Sequence, residues 1–176
     1  MLTLANALSV LRILLAAPTA WAVTQGWWGL ASLLLAVAII SDLFDGPVAR
    51  KRGQDSAAGG LLDHSCDALY VVSAFAALSS LSMVPVLLPI LVVFAFVQYV
   101  LDSNALKGKT LRTNQLGRYN GIAYYALLVI AFAAALLAPV ATLQPLLNIL
   151  GWILIVSTLL SMSDRFWTLF NQGPQQ

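Results

Sequence analysis

The sequence predicts an all-α integral membrane protein with six transmembrane helices and both termini in the cytoplasm. Of its 176 residues, 60% are hydrophobic and only 9% are charged, whereas a soluble domain typically carries about 25% charged residues. A membrane-spanning helix needs roughly 20 mostly apolar residues, so the length allows six spans joined by short loops. Residues 1–176 are therefore predicted to form a single transmembrane domain, for which no nucleic-acid partner is expected.

Six apolar segments follow one another along the chain. The first has no basic cluster ahead of it and is interrupted by Arg12, so it is a poor signal peptide and we expect it to be retained. A turn with interfacial tryptophans follows at 25–28, Pro85 opens the fourth segment and Pro139 closes the fifth. The predicted segments are 7–23, 28–40 with an extension to 49, 59–81, 84–101, 118–140 and 143–162.

The positions of the nine basic residues predict the orientation. Three follow the second segment, four lie between the fourth and the fifth, one follows the sixth, and Arg12 lies in the first turns of the first segment. The short loops near residues 25, 82 and 141 carry no charge. Because cytoplasmic loops are enriched in Lys and Arg, both termini and both basic loops are predicted to be cytoplasmic.

Four of the seven acidic residues form two pairs, at the cytoplasmic ends of the second and third segments. Asp42 and Asp45 are three residues apart, and Asp63 and Asp67 are four residues apart, so each pair lies on one helix face. We expect the two helices to be antiparallel neighbours, with the four carboxylates facing one another. A lone aspartate at a helix end is as often a solvated cap as a ligand, but two pairs at helical spacing favour a site.

Carboxylates that converge at membrane depth need a cation to neutralise them. Hard divalent cations with oxygen ligands fit best, which predicts Mg²⁺ or Mn²⁺ bound by the four aspartates, as a pair of ions about 3.5–4 Å apart. His64 and Cys66 are too few for a zinc site. A metal pair of this kind can clamp a pyrophosphate and stabilise the attacking and leaving oxygens.

The residues between the two aspartate pairs suit a phosphate-bearing ligand. Gly46 allows close backbone approach beside Asp45, and Arg50 offers a planar fork for phosphate oxygens. Gly59 leaves open space at the start of the third helix, whose N-terminal amides favour an anion. The basic run at 50–52 also has a plainer interpretation as a topology signal.

The stretch from Asp42 to Asp67 matches a known signature at every defining position. The pattern is Asp-x-x-Asp-Gly-x-x-Ala-Arg over 42–50, then eight residues, Gly59, three residues, Asp63, three residues and Asp67. It resembles the signature of the CDP-alcohol phosphatidyltransferases. The opening of the chain is similar to that family's Asn-x-x-Thr-x-x-Arg over residues 6–12, with Ser9 in place of the threonine.

The resemblance implies an enzyme of phospholipid biosynthesis that transfers a phosphatidyl or phospho-alcohol group from a CDP-linked donor to an alcohol, with release of CMP. It implies that Asp42, Asp45 and Asp63 bind the divalent metals, and that Asp67 also lies at the metals and is the general base. The metal and CDP site would span 42–67 and face the cytoplasm, in a protein of the bacterial inner membrane. The protein would be a homodimer. The residues that would hold the CDP moiety are Gly46, Ala49, Arg50 and Gly59.

The acceptor alcohol is the open question of this resemblance. Chain size and a cytoplasmic site are similar to bacterial phosphatidylglycerophosphate synthases, which use CDP-diacylglycerol and glycerol 3-phosphate. The second basic loop supports a phosphorylated acceptor, with Lys109, Arg112 and Arg118 as candidates to bind its phosphate. Their plainer interpretation is a positive-inside loop on anionic lipid. His64 and Ala68 depart from that subfamily, which usually has proline and lysine at these positions.

Two alternatives stay open. Residues 63–67, Asp-His-Ser-Cys-Asp, are similar to choline and ethanolamine phosphotransferases, which use a CDP-alcohol and diacylglycerol. There His64 could share the proton transfer, although a lone histidine beside a charged site is more often a hydrogen-bond partner. A cation transporter is the alternative from another class. The outer halves of the segments carry no charged residue that would continue an ion path.

Overall fold

The computed structural model of the chain describes residues 4–51, 57–102 and 115–171, with side chains over 9–43, 59–101 and 115–167. Every regular element within these ranges is an α-helix. In chain order the helices are α1 (Leu4–Thr24), α2 (Trp28–Lys51), α3 (Ala57–Ser80), α4 (Leu87–Asp102), α5 (Gln115–Leu137) and α6 (Val140–Asn171). The predicted all-α class is therefore confirmed for the described residues.

Each of the six apolar segments corresponds to one helix. The largest difference is at α6, which continues to Asn171 instead of ending at 162. Arg165 consequently lies inside this helix and not after it. The sequence between these positions contains no proline or glycine, and it includes Phe166 and Trp167, so nothing in it terminates the helix.

The helices have the apolar surface of a membrane protein. Three are long and apolar enough to cross a membrane, namely Gly59–Ser80, Gln115–Leu137 and Val140–Trp167. Ser9–Thr24, Trp28–Leu43 and Leu87–Leu101 are apolar but shorter among the described residues. Large apolar side chains such as Leu14 and Leu33 are about two-thirds exposed, as expected where lipid is the solvent.

Two turns on the uncharged side of the bundle share one hydrogen-bond pattern. After α1, the Gly26 amide donates to the Val23 carbonyl (3.0 Å) and the Trp27 amide donates to the Ala22 carbonyl (2.8 Å). Gly26 has φ +71°, so this is a Schellman cap with glycine in the left-handed position. After α3 the same pattern recurs, with Ser82 at φ 57°.

Helix α1 joins α2 to α3, and this corrects the expected arrangement of neighbours. It packs extensively against both, whereas the backbones of α2 and α3 do not come close to each other in the described part of the chain. Four alanines of α1 and α2 are buried, and small residues let helix backbones approach closely in a membrane. They are Ala16, Ala22, Ala31 and Ala38.

The remaining helices complete the bundle around α3. Helix α4 packs against α3 and α6, and α5 packs against α6, α2 and α3. The turn between α3 and α4 is tied to α6, because the Gln144 side chain donates to the Leu81 carbonyl (2.9 Å) and that of Asn148 donates to the Ser82 carbonyl (2.8 Å). These contacts fix the uncharged end of the bundle and leave the opposite end to the site.

Candidate active site

Three ligand-type side chains lie on the first turns of α3. Asp63 and Asp67 are one helical turn apart, so their carboxylates lie on the same face of the helix. One ligand atom each from Asp63, His64 and Asp67 lies within 4.8 Å of the others. The ligand set predicted from the sequence did not include His64, and the structure places its ring beside the carboxylates.

Arg12 of α1 lies at the centre of the carboxylate cluster. Its side chain is completely buried, and its guanidinium forms ion pairs with Asp42 of α2 (2.8 Å) and with Asp63 and Asp67 of α3. Two helices whose described backbones do not come close to each other are thus joined through one side chain of a third. Asp42 of α2 and both aspartates of α3 thus meet at a side chain of α1, while the side chain of Asp45, the fourth predicted carboxylate, lies outside the described residues.

A second residue of α1 and one of α5 complete the contacts of these carboxylates. Ser9 donates a hydrogen bond to Oδ1 of Asp63 (3.0 Å), and the Tyr125 hydroxyl donates to Oδ1 of Asp67 (3.0 Å). The Tyr125 ring stacks on the ring of Tyr70, with centroids 6.2 Å apart and planes within 9° of parallel. Asp67, the predicted base, is therefore held by hydrogen bonds from two other helices.

A cleft of about 790 Å³ opens beside the cluster and runs between α2, α3, α4, α5 and α6. Its volume is in the range of pockets that hold small-molecule ligands. The carboxylates of Asp42, Asp63 and Asp67 line one part. The cleft also has polar lining residues on α5 and α6, including Arg118, Asn120 and Arg165, and apolar ones on α3, α4 and α6, including Val71, Val92, Phe96 and Met162.

Tyr99 of α4 connects His64 to a second arginine within the cleft. The His64 ring meets the Tyr99 ring edge-on, with centroids 5.4 Å apart, and the Arg165 guanidinium lies 5.1 Å from the centroid of the same ring. A Cβ atom at Gly117 would lie 3.2 Å from Nη2 of Arg165. The absence of a side chain at Gly117 thus gives Arg165 its space between α5 and α6.

The structure brings together some of the predicted site residues and leaves others untested. Asp42, Asp63, Asp67, His64 and Arg118 all line the cleft, and Gly59 lies in the first turn of α3. Four predicted residues lie on the α2 backbone with side chains outside the described residues: Asp45, Gly46, Ala49 and Arg50. The two acceptor candidates Lys109 and Arg112 lie outside the described residues altogether.

Arg12, Tyr125 and Arg165 contact or line this site, and no site role was predicted for them. Arg12 was visible as a charge inside an apolar segment, which marks a functional residue by default in a membrane helix. Arg165 was placed beyond the last helix, and Tyr125 was not singled out by any pattern. Nothing in local spacing connects either of them to an aspartate.

The donor set fits a divalent cation. Carboxylate oxygens are the ligands that Mg²⁺ and Mn²⁺ prefer, and an imidazole nitrogen suits Mn²⁺ less well and zinc better. With all groups ionised, the carboxylates of Asp42, Asp63 and Asp67 and the guanidinium of Arg12 carry a net charge of −3 + 1 = −2. One divalent cation would neutralise this charge.

Comparison with known proteins identifies the family. No curated protein and no solved structure matches the chain. The family model for CDP-alcohol phosphatidyltransferase matches residues 2–162, which covers five of the six helices and most of α6. This range includes both aspartate pairs, Arg12 and Tyr125. The match is to a transferase of substituted phosphate groups that uses a CDP-alcohol donor, and the chain belongs to the CDP-alcohol phosphatidyltransferase family.

Proposed function

We propose that this family member transfers the phosphatidyl group of CDP-diacylglycerol to an alcohol, with glycerol 3-phosphate as the favoured acceptor, and releases CMP. One observation carries the proposal. The carboxylates of Asp42, Asp63 and Asp67 line the same cleft as Arg118 and Arg165, so a cation-binding site and two anion-binding side chains share one space. A lipid-linked pyrophosphate and a phosphorylated alcohol are the pair of substrates that this arrangement suits.

In the proposed reaction Asp67 takes the proton of the acceptor hydroxyl. The acceptor oxygen then forms a bond to the phosphatidyl phosphorus, the bond from that phosphorus to the pyrophosphate bridging oxygen breaks, and CMP leaves with the electron pair. General-base catalysis of this type contributes about 10²–10⁴-fold. Tyr125 and Arg12 hold the Asp67 carboxylate in a fixed orientation. Bound Mg²⁺ or Mn²⁺, as a pair if Asp45 completes the ligand set, would neutralise the pyrophosphate and the leaving group.

The remaining predicted residues keep their proposed roles. Gly46, Ala49, Arg50 and Gly59 would hold the CDP moiety at the start of α3 and the end of α2. Arg118, with Lys109 and Arg112 of the preceding segment, would bind the acceptor phosphate. Arg165 belongs with them, because its guanidinium also lines the cleft, and a planar guanidinium suits two phosphate oxygens. The homodimer implied by the family resemblance stays a prediction.

A CDP-choline or CDP-ethanolamine phosphotransferase that acts on diacylglycerol is the second candidate. The position of His64 supports it, because a ring nitrogen of this residue lies within 4.8 Å of a carboxylate oxygen of Asp63 and of Asp67. In that reaction the acceptor carries no phosphate. The two arginines of the cleft would then have no anionic acceptor to bind, which makes this function the less favoured one.

A cation transporter agrees less well with the distribution of charge. Among the described side chains, those of Asp, His and Arg lie on the first turns of α1, α3 and α5 and the last turns of α2 and α6. The stretches 13–41, 68–101 and 119–163 contain none. An ion path across the bundle would therefore lack charged groups for most of its length.

CMP release from purified protein in detergent tests the proposal. One arm supplies Mg²⁺, CDP-diacylglycerol and either glycerol 3-phosphate, inositol phosphate, serine or choline, and a second arm supplies CDP-choline and diacylglycerol. We expect release with glycerol 3-phosphate in the first arm, its loss in EDTA, and a fall of about 10²–10⁴-fold in kcat for Asp67→Asn. Release confined to the second arm would favour the second candidate, and activity retained in EDTA would contradict the metal requirement.

A further inference from the structure

Arg12 contacts only one oxygen of each of the three described site carboxylates. Its guanidinium meets Oδ1 of Asp42, Oδ1 of Asp63 and Oδ1 of Asp67. The Ser9 hydroxyl also donates to Oδ1 of Asp63, and the Tyr125 hydroxyl donates to Oδ1 of Asp67. Among the described residues, every hydrogen bond and ion pair of these three carboxylates uses Oδ1, so each Oδ2 remains for a further partner.

Arg12 is also buried away from the cleft. Its side chain has no exposed surface, whereas the side chains of Asp42, Asp63 and Asp67 are 45%, 30% and 25% exposed. The three aspartates line the cleft, and Arg12 does not. A cation that enters from the cleft therefore reaches the carboxylates without first displacing the guanidinium.

We infer that Arg12 is a positioning residue for the metal site. Its guanidinium stays in place when a divalent cation binds. The inference rests on the proposed metal requirement of this family member. A guanidinium has five donors in a rigid planar fork, so a single Arg12 can hold carboxylates from two helices and orient their second oxygens toward one ion. It also removes one of three negative charges, which lowers the mutual repulsion of the ligands before the ion arrives.

The competing interpretation is that Arg12 only substitutes for the metal and is displaced by it. The two interpretations predict opposite effects on metal binding when the planar guanidinium of Arg12 is replaced. If Arg12 positions the ligands, Arg12→Lys weakens metal binding, because a lysine ammonium is a point charge that cannot hold three carboxylates in one geometry. If Arg12 competes with the metal, the same substitution leaves binding unchanged or strengthens it.

Mn²⁺ binding to the purified protein in detergent, without any CDP-linked donor, separates these outcomes. Free Mn²⁺ is measured by electron paramagnetic resonance for the wild type, Arg12→Lys and Thr19→Val. The last is the matched control, because Thr19 is also a buried α1 residue bonded to α3, through the Tyr70 hydroxyl (3.2 Å). We expect a Kd for Mn²⁺ about tenfold or more above wild type in Arg12→Lys, and an unchanged Kd in Thr19→Val.

An unchanged or lower Kd for Mn²⁺ in Arg12→Lys overturns the inference. An equal rise of the Kd in Thr19→Val also overturns it, and so does a wild type that binds no Mn²⁺. If Arg12→Lys does not fold, Ser9→Ala takes its place. It removes one Oδ1 contact of Asp63 and a 3.4 Å contact to the guanidinium, and a raised Kd supports the inference while an unchanged Kd overturns it. A wild type that binds Mn²⁺ but releases no CMP would overturn the transferase proposal alone.

Discussion

At the scale of single residues, Tyr125 orients the predicted general base, Asp67. Its hydroxyl donates to Asp67 from a different helix, and its ring is stacked on Tyr70. A hydrogen bond to a charged group contributes about 1.5–3 kcal/mol, and this one also limits the rotation of the carboxylate. Tyr125 is thus a positioning residue that acts through Asp67.

We predict that Tyr125→Phe lowers kcat for CMP release roughly tenfold, which corresponds to about 1.4 kcal/mol, and changes the KM for the donor little. The ring stays, so the effect isolates the hydroxyl. The control is Tyr70→Phe, which removes a buried hydroxyl bonded to Thr19 and not to an aspartate. An equal loss of kcat in both variants would show that the bundle had loosened, and would contradict the proposed role.

The aspartate site could be predicted because its spacing is local. Asp63 and Asp67 lie on one turn of one helix, and a sequence displays that relation directly. The residues that hold them were missed because their contacts cross the chain. Arg12 is 55 residues from Asp67, and Tyr125 is 58 residues from it. No spacing pattern reports which helices are neighbours, so these partners needed the fold.

At the scale of elements, the six helices followed from their apolar composition, but their arrangement did not. Helices α2 and α3 were expected to be neighbours because they follow each other in the chain. Instead, α1 packs extensively against both of them, and buried small residues such as Ala16 on α1 and Ala38 on α2 allow helices to approach closely. Packing around α1 therefore outweighed chain order.

Gly151 of α6 lies against Val84 and Pro85, in the segment before α4. A Cβ atom there would lie 2.5 Å from Cδ of Pro85 and 3.6 Å from Cβ of Val84. A proline ring cannot move away as a flexible side chain would. We predict that Gly151→Ala lowers the free energy of unfolding by about 1–3 kcal/mol, measured as loss of helical circular dichroism during titration with SDS.

The matched control for this substitution is Gly29→Ala on α2. No heavy atom lies within 4 Å of a Cβ built at Gly29, and alanine is the better helix former by about 1 kcal/mol. Gly29→Ala should therefore leave the protein as stable as the wild type or more stable. A Gly151→Ala protein as stable as the wild type would show that α6 can shift away from Pro85 without loss.

At the scale of the whole molecule, the orientation in the membrane stays a prediction of the charge pattern. The chain has a single cysteine, Cys66, which is buried. Added cysteines can therefore be labelled individually in a Cys66→Ala background. We predict that Gln25→Cys reacts with a membrane-impermeant maleimide in intact bacterial cells, whereas Lys109→Cys reacts only after permeabilisation.

Labelling in the opposite pattern would reverse the assignment and place the site outside the cytoplasm. Labelling of both positions in intact cells would contradict an odd number of spans between them. The same samples test the spans between the two positions, two of which, α2 and α4, are shorter apolar helices among the described residues. Residues 25 and 109 are separated by α2, α3 and α4.

The burial of Arg12 has a consequence for how the protein is made. This residue lies about 12 Å along α1 at 1.5 Å per residue, and an arginine at the centre of an isolated membrane helix costs about 2.5–3.5 kcal/mol on insertion. Its partners Asp42 and Asp67 are synthesised 30 and 55 residues later. Stable integration of the first helix therefore depends on the later arrival of the second and third helices, so a nascent chain truncated before residue 42 would insert poorly and become a target for quality control.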